Sequence, residues 1–254
     1  MMKNPPVLPA ISQSSIFNSL LFAALSILLF KPIPVLAGVF AVTPVRIYMA
    51  PKDRAVAVTI TNEGTDDVVL QADLNAWSQK TDGADELIPT EDLILSPPII
   101  KLAPGARQVV RLALLKPADA SRQLIYRMIM REVPEAVASR DKTIEVPIAL
   151  ALSLPVFITP PVAKRDVSCA VVQSTPKLLN VNCGNQGTAY AQIREIVLLR
   201  SEKVAANFEG GTYILPGAHK IISLNNRQFI APGPAQLSVR FDDGKMQIFD
   251  VVLP

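Results

Sequence analysis

From residue 38 onward the chain consists of short runs whose large apolar side chains fall on every second position, and segments of helical period are hard to find. Alternation of this kind puts bulky groups on one face of a β-strand and small or polar groups on the other. The longest example lies in residues 145–160, where Val146, Ile148, Leu150, Leu152, Leu154 and Val156 alternate with Glu145, Pro147, Ala149, Ala151, Ser153 and Pro155. Pro147 and Pro155 lack the backbone N–H that a fully paired central strand needs, so the pattern predicts a sheet edge. A long edge strand with a bulky apolar row invites pairing with another chain unless something covers it. Two readings stay open here: the row is a surface for a partner, or it is the inward face of a sandwich strand with no further role.

Residues 39–49 read as an opening strand in which Pro44 marks a bulge or a change of sheet. Residues 55–61 form the next strand, closed by a turn at Asn62-Glu63-Gly64, and residues 68–77 another, with Trp77 expected in the core. Pro104-Gly105 is a turn between two strands, since proline presets one turn angle and glycine supplies the positive φ of the next. Residues 124–133 make a further strand, followed by a polar loop over 135–143. Arg127 and Arg131 share one side of that strand with Ile125 and Ile129, so each arginine is either a snorkelling surface residue or an anion ligand.

Thr159-Pro160-Pro161 is a stiff connection into a second region. There, strands are predicted at 168–173, 178–183, 189–199, 213–215, 220–224, 236–241 and 246–253, the last two joined by a turn at Asp242-Asp243-Gly244. Roughly seven short strands with regular turns is the pattern of a β-sandwich, and it occurs twice. The expected architecture is therefore all-β, with one sandwich over 38–158 and a second over 159–254. Residues 1–37 read instead as a secretory leader: Lys3 in a polar start, an apolar run over 16–30, and Val35-Leu36-Ala37 before Gly38 as the expected cleavage point. Pro32, Pro34 and the shortness of the run argue against a retained membrane helix.

Loss of the leader removes Lys3 and Lys31 and no acid, lowering the formal net charge from +3 to +1. A nearly neutral chain gives no electrostatic case for nucleic acid or anionic lipid as a partner. Cys169 and Cys183 are the only cysteines, and in an oxidising compartment an even pair flanking a turn is expected to form one disulfide; metal binding by the pair is the weaker reading. The chain holds a single histidine, His219, and neither a Gly-x-Ser-x-Gly nor a His-Glu-x-x-His motif, so no enzyme chemistry, cofactor, metal or small-molecule substrate is expected. Asp242-Asp243 and the acids of 82–86 sit in polar, turn-like stretches and read as solvated groups.

Four separated motifs then agree in order and spacing: Val42-Thr43-Pro44-Val45-Arg46, the stretch from Ser96-Pro97-Pro98 through Leu102-Ala103-Pro104-Gly105 to Val110-Arg111-Leu112, the segment from Tyr126 to Arg131-Glu132-Val133-Pro134, and the strand leading to Phe157-Ile158-Thr159-Pro160. Together they resemble the periplasmic pilus-assembly chaperones of the chaperone–usher pathway over nearly all of the first domain, while the second domain is similar only in size and strand pattern. The resemblance implies two immunoglobulin-like sandwiches set at an angle around a cleft. It implies that pilin subunits and an outer-membrane usher are the partners, and that the chain lends a strand to a subunit whose own sandwich lacks one.

On this resemblance Val146, Ile148, Leu150, Leu152 and Leu154 are the donated residues, filling a partner's groove while main-chain bonds extend its sheet. Family members anchor the subunit's terminal carboxylate with an arginine of the first strand, matched by Arg46, and a lysine of the donor strand, whose place is taken here by Pro155. No Lys or Arg lies between Glu145 and Thr159, so Arg127 of the neighbouring strand is the expected substitute, and Arg131 is expected to serve the interface between domains. Chaperones of the archaic branch look similar in carrying Tyr-Arg and a Leu-Ser-Leu-Pro-Val-Phe strand. The competing reading is an exported all-β pilus subunit or adhesin, which would be secreted too but generally lacks two complete sandwiches.

Overall fold

The computed structural model describes residues 40–133, 149–174, 178–226 and 230–254. The leader, Val146, Ile148 and the loop expected over 135–143 lie outside the described residues.

Within residues 38–254 the described elements are strands without a helix, gathered around two separate hydrophobic cores. In the first, β1 (Phe40–Thr43), β3 (Ala55–Asn62), β8 (Arg107–Leu114) and β6 (Leu93–Ser96) form one sheet in the order β1-β3-β8-β6. The facing sheet runs β2 (Ile47–Met49), β10 (Ala151–Ile158), β9 (Leu124–Glu132), β4 (Val68–Gln79), β5 (Asp85–Pro89), with β7 (Ile99–Leu102) also paired to β4. β1 and β2 are thus one chain segment divided between two sheets, and the division falls at the cis Thr43-Pro44 bond. This is the change of sheet that Pro44 suggested. Every second residue points inward to a core that includes Ile47, Ile60, Leu70, Leu112 and Met128, each essentially inaccessible to water.

The turn chemistry follows the residues. Gly105 has φ +71° and its N–H bonds to Asn62 O at 3.0 Å, while the Asn62 side chain donates to Leu102 O at 3.0 Å and accepts from Gly64 N at 2.9 Å. One buried asparagine therefore holds two of the predicted turns together.

The second core belongs to β11 (Val167–Ser174), β12 (Leu179–Asn185), β13 (Ala191–Arg200), β14 (Lys203–Ile214), β15 (His219–Asn226), β16 (Gly233–Phe241) and β17 (Met246–Leu253), in the order β11-β12-β15-β14-β13-β16-β17. β14 and β15 meet only at Ala206–Asn226 and Asn207–Asn225, so the strands fold over into two faces. Cys169 and Cys183 are directly opposite in the β11/β12 pair and are joined by a disulfide. Two expectations needed correction here. β5 and most of β14 were not anticipated, because β5 is exposed along its length and β14 carries Gly210 and Gly211 within a polar run.

Candidate functional site

β10 is paired unequally on its two sides. Against β9 it is continuous from Ala151 to Ile158, but β2 joins it only at Val156–Ile47, Phe157–Tyr48 and Ile158–Met49. Among the described residues nothing pairs with Ala151–Pro155 on the β2 side, so the first part of the strand leaves its backbone groups open there. The apolar row changes environment along this strand. Leu150 is exposed, with its carbonyl accepting from Glu132 N at 2.8 Å; Leu152 is half-buried against the first core; Leu154 is buried in that core. Leu152 and Leu154 were expected among the donated side chains, and the structure gives them to the chain's own sandwich instead. The cause is register: they stand opposite Met130 and Met128, whose side chains are core.

The same register creates a row of arginines. Val156 is level with Ile47, so Pro155 is level with Arg46 on one side and opposite Arg127 on the other. Laterally aligned residues share a face. Arg46 and Arg127 therefore flank Pro155 two strand spacings apart, about 10 Å between backbones, within reach of a common anion for two long side chains. Arg127 lies over the Trp77 ring, Cζ to centroid 3.7 Å, and donates from Nη1 to Ser153 O at 3.3 Å. Its pKa is lowered, chiefly by burial. Arg46 pairs with Asp242, Nη1 to Oδ2 2.9 Å, and Tyr190 donates its hydroxyl to the same oxygen at 2.9 Å. Tyr48 then donates to the Tyr190 oxygen, 2.9 Å away. Burial, followed by these hydrogen bonds, pushes the Tyr190 pKa far up, so it stays a neutral donor.

Around these polar groups the two sandwiches share a third apolar cluster. Phe157, Trp77 and Leu215 are buried in it, with Ile125, Tyr190 and Tyr213 packed against them. Phe157 stacks on Tyr190 at 4.0 Å and Trp77 meets Tyr213 edge-on at 5.3 Å. Trp77 is thus buried as expected, but at the junction of the sandwiches. Side-chain amides complete the seam: Gln123 donates to Thr159 Oγ1 at 2.6 Å and accepts from Tyr190 N at 2.9 Å, and Gln79 accepts from Leu215 N at 2.8 Å.

Arg131 does not serve this junction. It pairs with Asp73 of the same sandwich and is exposed. Asp242, read from sequence as solvated, is nearly buried and is the carboxylate that meets Arg46, 196 residues away in the chain. No local signal reveals that pairing, since an Asp-Asp-Gly turn looks the same in either setting; the turn itself is present, with Gly244 at φ +79°. Among the described residues no group of three or more His, Cys, Asp or Glu side chains is arranged to hold a metal ion.

Two sandwiches sharing an arginine-lined, aromatic junction, the first with a strand open on one side, define a two-domain immunoglobulin-like chaperone fold. The chain belongs to the pilus-assembly chaperones: residues 39–164 match the family model described as pili and flagellar-assembly chaperone, PapD N-terminal domain. Among solved structures it is similar to a chain of the CsuC–CsuE chaperone–tip subunit pre-assembly complex from the archaic chaperone–usher Csu pili of Acinetobacter baumannii, at 17% identity and TM-score 0.61, covering 84% of this chain and 98% of that one. It is also similar to the Escherichia coli chaperone DraB, at 16% identity and TM-score 0.56 over 85% and 96% of the two chains. The Pseudomonas aeruginosa chaperone CupB2 aligns at 16% identity and TM-score 0.54 over 84% and 100%. No curated protein matches the chain.

Proposed function

We propose that this chain is a periplasmic chaperone that captures an incomplete pilin subunit by lending it a strand, and then passes the subunit to an outer-membrane usher. The observation that carries this reading is the one-sided pairing of β10: among the described residues no strand pairs with Ala151–Pro155 on the β2 side. A partner strand added there gains main-chain hydrogen bonds, and its groove receives alternate side chains. With Leu154 committed to the first core and Leu152 half-committed, the lent row is Val146, Ile148 and Leu150. The partner's terminal carboxylate is held between Arg46 and Arg127, whose forked donors suit a carboxylate better than a point charge does. The Tyr126-Arg127 pair and the Leu152-to-Phe157 strand resemble the archaic branch and support that reading, and the similar Acinetobacter chain was solved in a pre-assembly complex with a tip subunit. The partner is thus a secreted β-sandwich protein, and the chain performs no catalysis.

The test is co-expression of the tagged chain with exported β-proteins encoded beside it, using Leu150→Asp as the probe. Leu150 is exposed, so the variant should fold. A charge placed in an apolar groove forfeits about 1.5–3 kcal/mol of side-chain burial and adds a desolvation cost, so subunit recovery should be lost. Normal subunit recovery by folded Leu150→Asp would reduce the strand to a structural element.

A further inference from the structure

Arg46, proposed to receive a subunit's terminal carboxylate, already meets a carboxylate of the chain's own second sandwich, Asp242, at 2.9 Å. Three features make Asp242 a displaceable ligand and not a fixed strut. The oxygen that contacts Arg46 also accepts the Tyr190 hydroxyl at 2.9 Å, so Asp242 keeps a donor when Arg46 turns away. The junction has ties that use no charge: the Tyr190–Gln123 and Leu215–Gln79 bonds and the Phe157–Tyr190 stack hold the sandwiches together independently of the ion pair. Finally, the pair is open to exchange from the arginine side, because the Arg46 side chain retains 29% of its exposure while that of Asp242 retains 11%.

We propose that Asp242 is a resident carboxylate that an incoming terminal carboxylate must displace from Arg46, coupling loading to the contact between the sandwiches. The proposal rests on the subunit-capture reading above and adds its regulation. Coupling of this kind is reciprocal: whatever strengthens the Arg46–Asp242 pair weakens capture, and a captured carboxylate weakens the pair. It also supplies selectivity. Every protein carries a terminal carboxylate, so an uncommitted arginine fork would attract many chains. With Asp242 in place, an end group alone merely exchanges one ion pair for another, and the gain must come from pairing with the open edge of β10. A chain lacking the matching groove is thereby disfavoured.

Asp242→Asn removes the charge and keeps the shape and an acceptor for Tyr190; Asp242→Ala is a second neutral change. Wild type and each variant, differently tagged and co-expressed in equal amounts with the same subunit, compete for it, and the subunit on each tag is quantified. The expected result is about 2- to 5-fold more subunit on either neutral variant, the scale of one partly exposed ion pair. A strut would give the opposite sign, because loosening the junction lowers capture. Equal sharing, preference for wild type, or failure of both variants to fold by circular dichroism overturns the proposal. Absence of subunit from wild type itself overturns the capture reading beneath it, so the two failures are told apart.

Discussion

Arg127 carries the largest departure of this chain from the expected anchor, and its removal has a calculable effect. In the free chain Arg127→Ala deletes the stack on Trp77, worth about 0.5–2 kcal/mol, and one long hydrogen bond to Ser153 O, worth about 1 kcal/mol at most. The first sandwich should tolerate that loss, because a domain typically has about 5–15 kcal/mol of stability. In the loaded chain the same change leaves a carboxylate in a partly buried cleft with Arg46 alone, an arginine that in the free chain is paired with Asp242. Breaking a buried pair from one side costs about 3–5 kcal/mol, which is more than a hundredfold in affinity. Arg127→Lys restores the charge without the fork and should fall between. The Arg46→Ala/Arg127→Ala double variant should lose little beyond either single one, because both act on one contact. Arg131→Ala is the control: its exposed pair with Asp73 is worth about 0–1 kcal/mol, and capture should survive. The assay is subunit co-recovery beside a thermal melt for each variant. A folded Arg127→Ala that retains its subunit, together with an inactive Arg131→Ala, would refute the reasoning and move the second cation along β9.

Replacing Cys169 and Cys183 together by alanine opens a link spanning 14 residues and should lower the stability of the second sandwich by about 3 kcal/mol in denaturant unfolding, with the first sandwich's transition unchanged. Phe157→Ala removes a fully buried ring from the junction and should cost about 3–5 kcal/mol. Because Trp77 is the chain's one tryptophan and packs in the same cluster, its emission should shift to longer wavelength as water enters; an unshifted spectrum would separate Trp77 from that seam.

What could be read from the residues alone was whatever has a local cause. Pro44 cannot donate to a ladder and marks the sheet change; Pro104-Gly105 dictates its turn; the alternating row of 145–160 announces a strand with an open side. Arg46 was singled out by its motif and Arg127 because Pro155 leaves the row without a cation; the register puts Pro155 level with both. Long-range facts stayed hidden. Leu150, Leu152 and Leu154 have the same periodicity, and only their neighbours on β9 show where the row passes from surface to core. Asp242 gives no hint of Arg46, and Trp77 looks like any core aromatic until the second sandwich supplies Tyr213 and Leu215.

The unequal pairing of β10 makes the strand a ruler. Its far end, Val156–Ile158, is clamped between β2 and β9, so it cannot slide without turning every side chain to the wrong face. The zero mark is the Arg46–Pro155–Arg127 level, and Leu150 stands five residues before Pro155, about 17 Å along an extended chain. On the proposed capture reading, a partner that ends at the arginines carries its pocket for Leu150 at that fixed distance. A subunit longer or shorter by one residue between the two would present its groove to the small side of the strand, where Ala149 and Ala151 offer it nothing to hold.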